Sequence, residues 1–106
     1  MSDFQRIDPI QASTLLQDGA QLADIRDPQS YQQGHIPGAV RLDNDNLPQF
    51  VAAADKQAAL VVCCYHGNSS QPAAAYLASL GFDAVYSLDG GFELWRQQFP
   101  DQINHD

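Results

Sequence analysis

Ala59-Leu60-Val61-Val62-Cys63-Cys64-Tyr65-His66-Gly67-Asn68-Ser69-Ser70-Gln71-Pro72 is the stretch that decides how this chain folds. Its apolar start, residues 59–63, suits a strand buried on both faces, as strands of a parallel sheet are. From Pro72 the spacing of Ala73, Tyr76, Leu77 and Leu80 predicts a helix with a single apolar stripe, closed by Gly81. Pro72 is tolerated there only because it falls in the first turn. Residues 64–70 must then form a loop between strand and helix, and Gly67 lets that loop turn around a cysteine. The thiolate is the nucleophilic form of cysteine, and the free N–H groups at a helix start lower a thiol pKa from ~8.5 into the range ~3.5 to 7.5. Cys64 stands where a reactive thiolate belongs. The competing reading is an inert buried thiol, since free cysteine is among the most buried residue types.

The same alternation extends upstream and downstream. Residues 4–7 read as a first strand, and Asp8-Pro9 as N-cap and first helical residue, with Gln11 completing a capping box and Gly19 ending the helix behind Leu15 and Leu16. Residues 21–25 form a second strand. Asp27-Pro28 repeats the cap signal, residues 29–33 make a short helix stopped by Gly34, and residues 35–38 turn the chain. Residues 39–42 are a brief third strand, and Asn44 to Asn46 introduce a helix through Leu47, Phe50, Val51 and Ala54. After the central stretch, residues 84–87 give a fifth strand, and Gly90-Gly91 leads into a last helix carrying Phe92, Leu94, Trp95 and Phe99. The tail after Pro100 is expected to fray.

Strands alternating with helices imply an α/β fold, with a central, mainly parallel five-stranded sheet and helices on both faces. The 106 residues suffice for one hydrophobic core and are too few for two, so residues 1–106 are read as a single domain. In open α/β sheets the ligand crevice lies beyond the carboxyl ends of the strands. Those ends hold Asp24 and Arg26, then Arg41 and Asp43, then Cys64, then Asp89.

Five Lys plus Arg stand against 13 Asp plus Glu, a net charge of −8, which argues against a nucleic-acid or anionic-membrane surface. An anionic substrate would have to be held by local donors against that field. The N-terminal stretch from Met1 to Arg6 lacks the apolar core of a secretory signal, and no apolar run approaches the ~20 residues of a membrane helix, so a cytoplasmic location is expected. Cys63 and Cys64 are strand neighbours pointing to opposite faces, which disfavours a disulfide between them. With no Cys-x-x-Cys pair and His35, His66 and His105 scattered, no metal site is expected.

Four motifs taken together carry a family resemblance. Asp24-Ile25-Arg26-Asp27, Gly34-His35-Ile36-Pro37-Gly38-Ala39, the loop from Cys64 through Tyr65, His66, Gly67, Asn68 and Ser69 to Ser70, and Gly90-Gly91 followed by Trp95 resemble a rhodanese in order and spacing, over nearly the whole chain. Within that family the loop, with Asp27-Pro28-Gln29-Ser30, is most similar to the single-domain thiosulfate sulfurtransferases encoded with bacterial glycerol-3-phosphate genes. The resemblance implies a rhodanese fold and Cys64 as nucleophile. It implies that Cys64 takes the outer sulfur of thiosulfate as a persulfide, releases sulfite, and passes the sulfur to cyanide or a thiol acceptor, such as the dithiol protein thioredoxin, without any cofactor. Backbone N–H groups of residues 65–70 would stabilise thiolate and persulfide.

The loop departs from the commoner rhodanese pattern at Ser69, where many members carry an arginine that can hold an anionic donor. Thiosulfate should therefore be held weakly, by backbone donors or a partly protonated His66. Cysteine phosphatases need Cys-x5-Arg for bidentate phosphate binding, and the sixth residue after Cys64 is Ser70, so phosphatase chemistry is disfavoured. A non-catalytic rhodanese-like binding module and a thiol redox sensor stay open as alternatives. Arg26 is a candidate supporting residue, against the simpler reading of an ion pair with a nearby aspartate; Arg41 is less defined. Cys63, Trp95 and Phe99 read as core, His35 as a side chain tying its turn to neighbouring backbone, and His66 equally as surface or substrate contact.

Overall fold

In the computed structural model, residues 3–105 are described; Met1 and Ser2 of the N-terminal stretch and Asp106 of the tail lie outside them. The strands are β1 (Gln5–Ile7), β2 (Gln21–Asp24), β3 (Val40–Arg41), β4 (Leu60–Cys63) and β5 (Val85–Leu88). They form one sheet in the order β1-β5-β4-β2-β3, every pairing parallel. β4 is central, with all four residues buried, as its unbroken apolar sequence demands. Its Cys63 registers with Asp24 of β2 and its Val62 with Ser87 of β5.

Five helices cover the sheet: α1 (Pro9–Gln17), α2 (Pro28–Gln33), α3 (Leu47–Ala53), α4 (Ser70–Ser79) and α5 (Gly91–Gln98). Because strand side chains alternate, β4 feeds two cores. Val61 and Cys63 pack with Ala12 of α1, Leu88, and Phe92 and Trp95 of α5; Leu60 and Val62 pack with Ala74 and Leu77 of α4 and, at the margin, Leu47, Phe50 and Val51 of α3. Helices therefore lie on both faces.

Local chemistry sets the helix starts. At α1 the Asp8 carboxylate accepts from Gln11 N–H while the Gln11 side chain accepts from Asp8 N–H, the reciprocal box read from sequence. At α2 Asp27 accepts from Ser30 N–H at 3.0 Å. α4 differs from expectation: it starts at Ser70, two residues ahead of Pro72, and no side chain caps it. Its first helical N–H, that of Ser70, is turned to the Cys64 sulfur.

The tail also differs. Instead of fraying, Asn104 pairs with His35 through two backbone bonds, 2.9 and 2.8 Å, and the Trp95 indole donates to Gln102 O at 2.9 Å. Ile103 packs at the edge of the first core. A short tail ending in polar residues gave no hint of these partners, which lie on α5 and the turn after α2. Among the described residues no helix is long and apolar enough to cross a membrane.

Candidate active site

All strands being parallel, their carboxyl ends share one edge, and the central β4 delivers Cys64 to its middle. Residues 64–70 then curl back so that two backbone N–H donors and one hydroxyl meet one sulfur. Gly67 N–H lies 3.1 Å from Cys64 Sγ, Ser70 N–H 3.3 Å, and Ser70 Oγ 3.3 Å. Cys64 is only 2% exposed, so little water competes with these groups. Ser70 is the first residue of α4, and its N–H adds the positive end of the helix dipole to the hydrogen bond. Of the six loop N–H groups expected to aim inward, these two reach Sγ. The side chains of Tyr65, His66, Asn68 and Ser69 are turned to the surface.

Two glycines make this curl. Gly67 has φ +89°, and a Cβ there would meet Gly90 N at 2.8 Å and Leu88 O at 3.1 Å. Gly91 has φ +59°, and a Cβ there would lie 2.5 Å from Cys64 O and from Tyr65 C. Without a side chain at Gly91, α5 comes close enough for Phe92 N–H to donate to Cys64 O at 2.8 Å and Glu93 N–H to Tyr65 O at 3.2 Å. The carbonyls of Cys64 and Tyr65 are thereby taken up, and the N–H groups of Gly67 and Ser70 are left to the sulfur.

Behind Ser70 stands a residue that the sequence analysis did not single out. Ser87 of β5 is fully buried, and its Oγ lies 2.7 Å from Ser70 Oγ. A buried hydroxyl without a partner costs roughly 1–3 kcal/mol, so a serine inside an otherwise apolar strand was the available signal.

The other candidates sort as follows. Arg26 is buried and pairs with the fully buried Asp24 at 2.8 Å, donates to Gly34 O at 2.7 Å, and stacks over Phe92 with Cζ 4.2 Å from the ring centre. It braces β2, α2 and α5, and no hydrogen bond joins it to the loop. Arg41 is engaged by Asp43 and by Arg26 O. Cys63 faces the opposite core, and burial, then the Asp24 charge, pushes its thiol well above the ordinary range. His35 is stacked on Tyr31 and its Nδ1 lies 2.8 Å from Tyr31 O.

His66 is exposed near Glu93, whose carboxyl is held below its usual range chiefly by Arg96 and in smaller part by His66. The Tyr65 hydroxyl donates to the Asp27 carboxylate and accepts from Asp27 N–H at 3.1 Å, joining the loop to the N-cap of α2. A cavity of about 510 Å³ opens on the same edge, bordered by Arg26, Asp27, Arg41, Asp43 and Tyr76. Its charged walls are already paired, Arg26 with Asp24, Arg41 with Asp43 and Asp27 with Tyr65 and Ser30.

The pattern of the Rhodanese-like domain matches residues 8–98, from the N-cap of α1 to the last residue of α5. The chain belongs to the rhodanese family. Among rhodanese relatives, it is 58% identical over 106 residues to "Thiosulfate sulfurtransferase GlpE" of Stutzerimonas stutzeri (strain A1501), covering 100% of this chain and 97% of that protein. It is 63% identical over 101 residues to the protein of the same name from Pseudomonas paraeruginosa (strain DSM 24068 / PA7), covering 94% and 92%. Among solved structures, the rhodanese-like domain of an Anabaena sp. protein superposes with TM-score 0.81 at 23% identity, covering 98% of this chain and 81% of that one, a likeness of fold.

Proposed function

We propose that this rhodanese is a thiosulfate sulfurtransferase in which Cys64 carries the transferred sulfur. The observation that supports this most directly is the convergence of Gly67 N–H, Ser70 N–H and Ser70 Oγ on Cys64 Sγ, in a chain 58% identical to a named thiosulfate sulfurtransferase. Donors gathered on one sulfur stabilise it as a thiolate, the form in which it attacks thiosulfate and to which it returns when the acceptor takes the outer sulfur.

In the first half-reaction the Cys64 thiolate attacks the outer sulfur of thiosulfate. A new S–S bond forms, the old one breaks, and sulfite leaves with its electron pair. In the second, the acceptor, cyanide or a thiolate, attacks the same outer sulfur and the S–S electron pair returns to Cys64. The sequence is ping-pong and needs no external oxidant, reductant or cofactor. The N–H groups of Tyr65, His66, Asn68 and Ser69, which are not on Sγ, are the donors assigned to the outer sulfur and the sulfonate, with His66 at the rim. A thiol acceptor is a dithiol protein such as thioredoxin, and the reaction is placed in the cytoplasm.

Mass spectrometry after thiosulfate treatment tests the proposal. We expect the mass of one sulfur atom added to Cys64, its removal by cyanide as thiocyanate, and neither event in Cys64→Ser. A chain modified at Cys64 by peroxide but not by thiosulfate would be a redox sensor. A chain modified by neither would be a binding module.

A further inference from the structure

Ser87 lies on the same face of β5 as Val85, opposite Val62 of β4, on the side of the sheet packed by Ala74 and Leu77. On that face a hydroxyl has no use unless it has a partner. Among the described residues its one side-chain partner is Ser70 Oγ, which itself lies 3.3 Å from Cys64 Sγ. Three buried atoms thus follow one another, Ser87 Oγ, Ser70 Oγ and Cys64 Sγ, with two gaps between them.

Hydroxyl protons rotate to suit their neighbours, so counting protons decides the direction of the chain. With Cys64 as thiolate there are two hydroxyl protons for two gaps: Ser87 donates to Ser70, and Ser70 donates to the sulfur. With Cys64 as thiol there are three protons for the same two gaps, and one donor is turned away without an acceptor. Ser87 also fills the acceptor side of Ser70, which leaves the Ser70 proton to the sulfur, and an anionic sulfur accepts far better than a thiol. Each serine keeps its own proton throughout, and the proton lost by Cys64 goes to solvent.

We propose that Ser87 is a positioning residue that orients the Ser70 hydroxyl toward Cys64 and so favours the thiolate over the thiol. The assignment rests on Cys64 being the reactive sulfur of the proposed sulfurtransferase. Ser87 touches neither the sulfur nor the substrate and acts only through Ser70.

Ultraviolet thiolate absorbance, titrated against pH with the Cys64→Ser protein as blank, tests this in the parent, Ser87→Ala, Ser70→Ala and the double variant. Ser87→Ala should move the midpoint to higher pH by about half to one unit, the worth of one neutral hydrogen bond. In the Ser70→Ala background the same substitution should move it no further, because the route to the sulfur is already cut. A parental midpoint in Ser87→Ala, or an equal displacement with and without Ser70, overturns the proposal. Thermal unfolding shows that folded protein is being titrated; alanine removes only one buried oxygen. Thiosulfate treatment of the parent stands apart from this titration: failure to add sulfur would sink the sulfurtransferase reading while the titration still reported on the hydroxyl chain.

Discussion

Ser69 precedes α4 with near-helical backbone angles, φ −68° and ψ −25°, an exposed side chain and no capping bond. A longer side chain can replace it without disturbing the packing. Because the loop brings no fixed cation of its own, Ser69→Arg is expected to lower the KM for thiosulfate by roughly two- to fivefold, the modest worth of an exposed charge pair. An unchanged or higher KM in steady-state assays would show that the sulfonate is held elsewhere. At this scale the sequence was informative where chemistry is local. The turn at Gly67 and backbone donors around Cys64 are expected from one loop, and Gly67 and Ser70 N–H do reach its sulfur. Ser87 stayed unread because its partner lies 17 positions away and a serine closing a strand looks like punctuation. The Arg26 and Asp24 pair was legible as an ion pair, two positions apart, while its depth in the core was not.

The helix caps show both what a local pattern carries and what it omits. Asp27-Pro28 announced the start of α2, and Asp27 does accept from Ser30 N–H. The pattern could not show that the same carboxylate takes the hydroxyl of Tyr65, 38 positions on. The Tyr65 hydroxyl and then the Ser30 donors hold the Asp27 carboxyl well below the usual carboxylate range. A carboxyl whose folded-state pKa lies below its unfolded value of ~3.9 gives stability that is complete above that value. The contribution disappears as pH falls through the folded value. Tyr65→Phe should therefore lower the melting temperature at neutral pH, and its difference from the parent should shrink as pH drops below about 4, where Asp27 protonates in the unfolded chain. A difference that stays constant from neutral to strongly acid pH would mean that the bond to the carboxylate contributes nothing. The early start of α4 was hidden for a related reason: its first donor serves Cys64 Sγ, and sequence patterns register caps made by side chains.

For the molecule as a whole, the alternation of strands and helices made the parallel sheet and its two helical layers readable, because period and length report burial directly. Strand order was not readable, since it is fixed by which helix crosses which face. The C-terminal tail is the clearest miss, for its partners are backbone groups of His35 and the indole of Trp95. Removing residues 101–106 would break the two His35 bonds and the Trp95 bond and uncover the packing around Ile103. We expect a melting temperature lower by on the order of 5–15 °C, from a few hydrogen bonds each worth about 1 kcal/mol. A melting temperature equal to that of the full chain would show that the tail merely rests on the surface. The bonds from Phe92 and Glu93 N–H to the carbonyls of Cys64 and Tyr65 matter in time as well as in space. A chain emerging from synthesis makes Cys64 before the helix that takes up those carbonyls. Until α5 docks, the cysteine is one more thiol on a nascent chain.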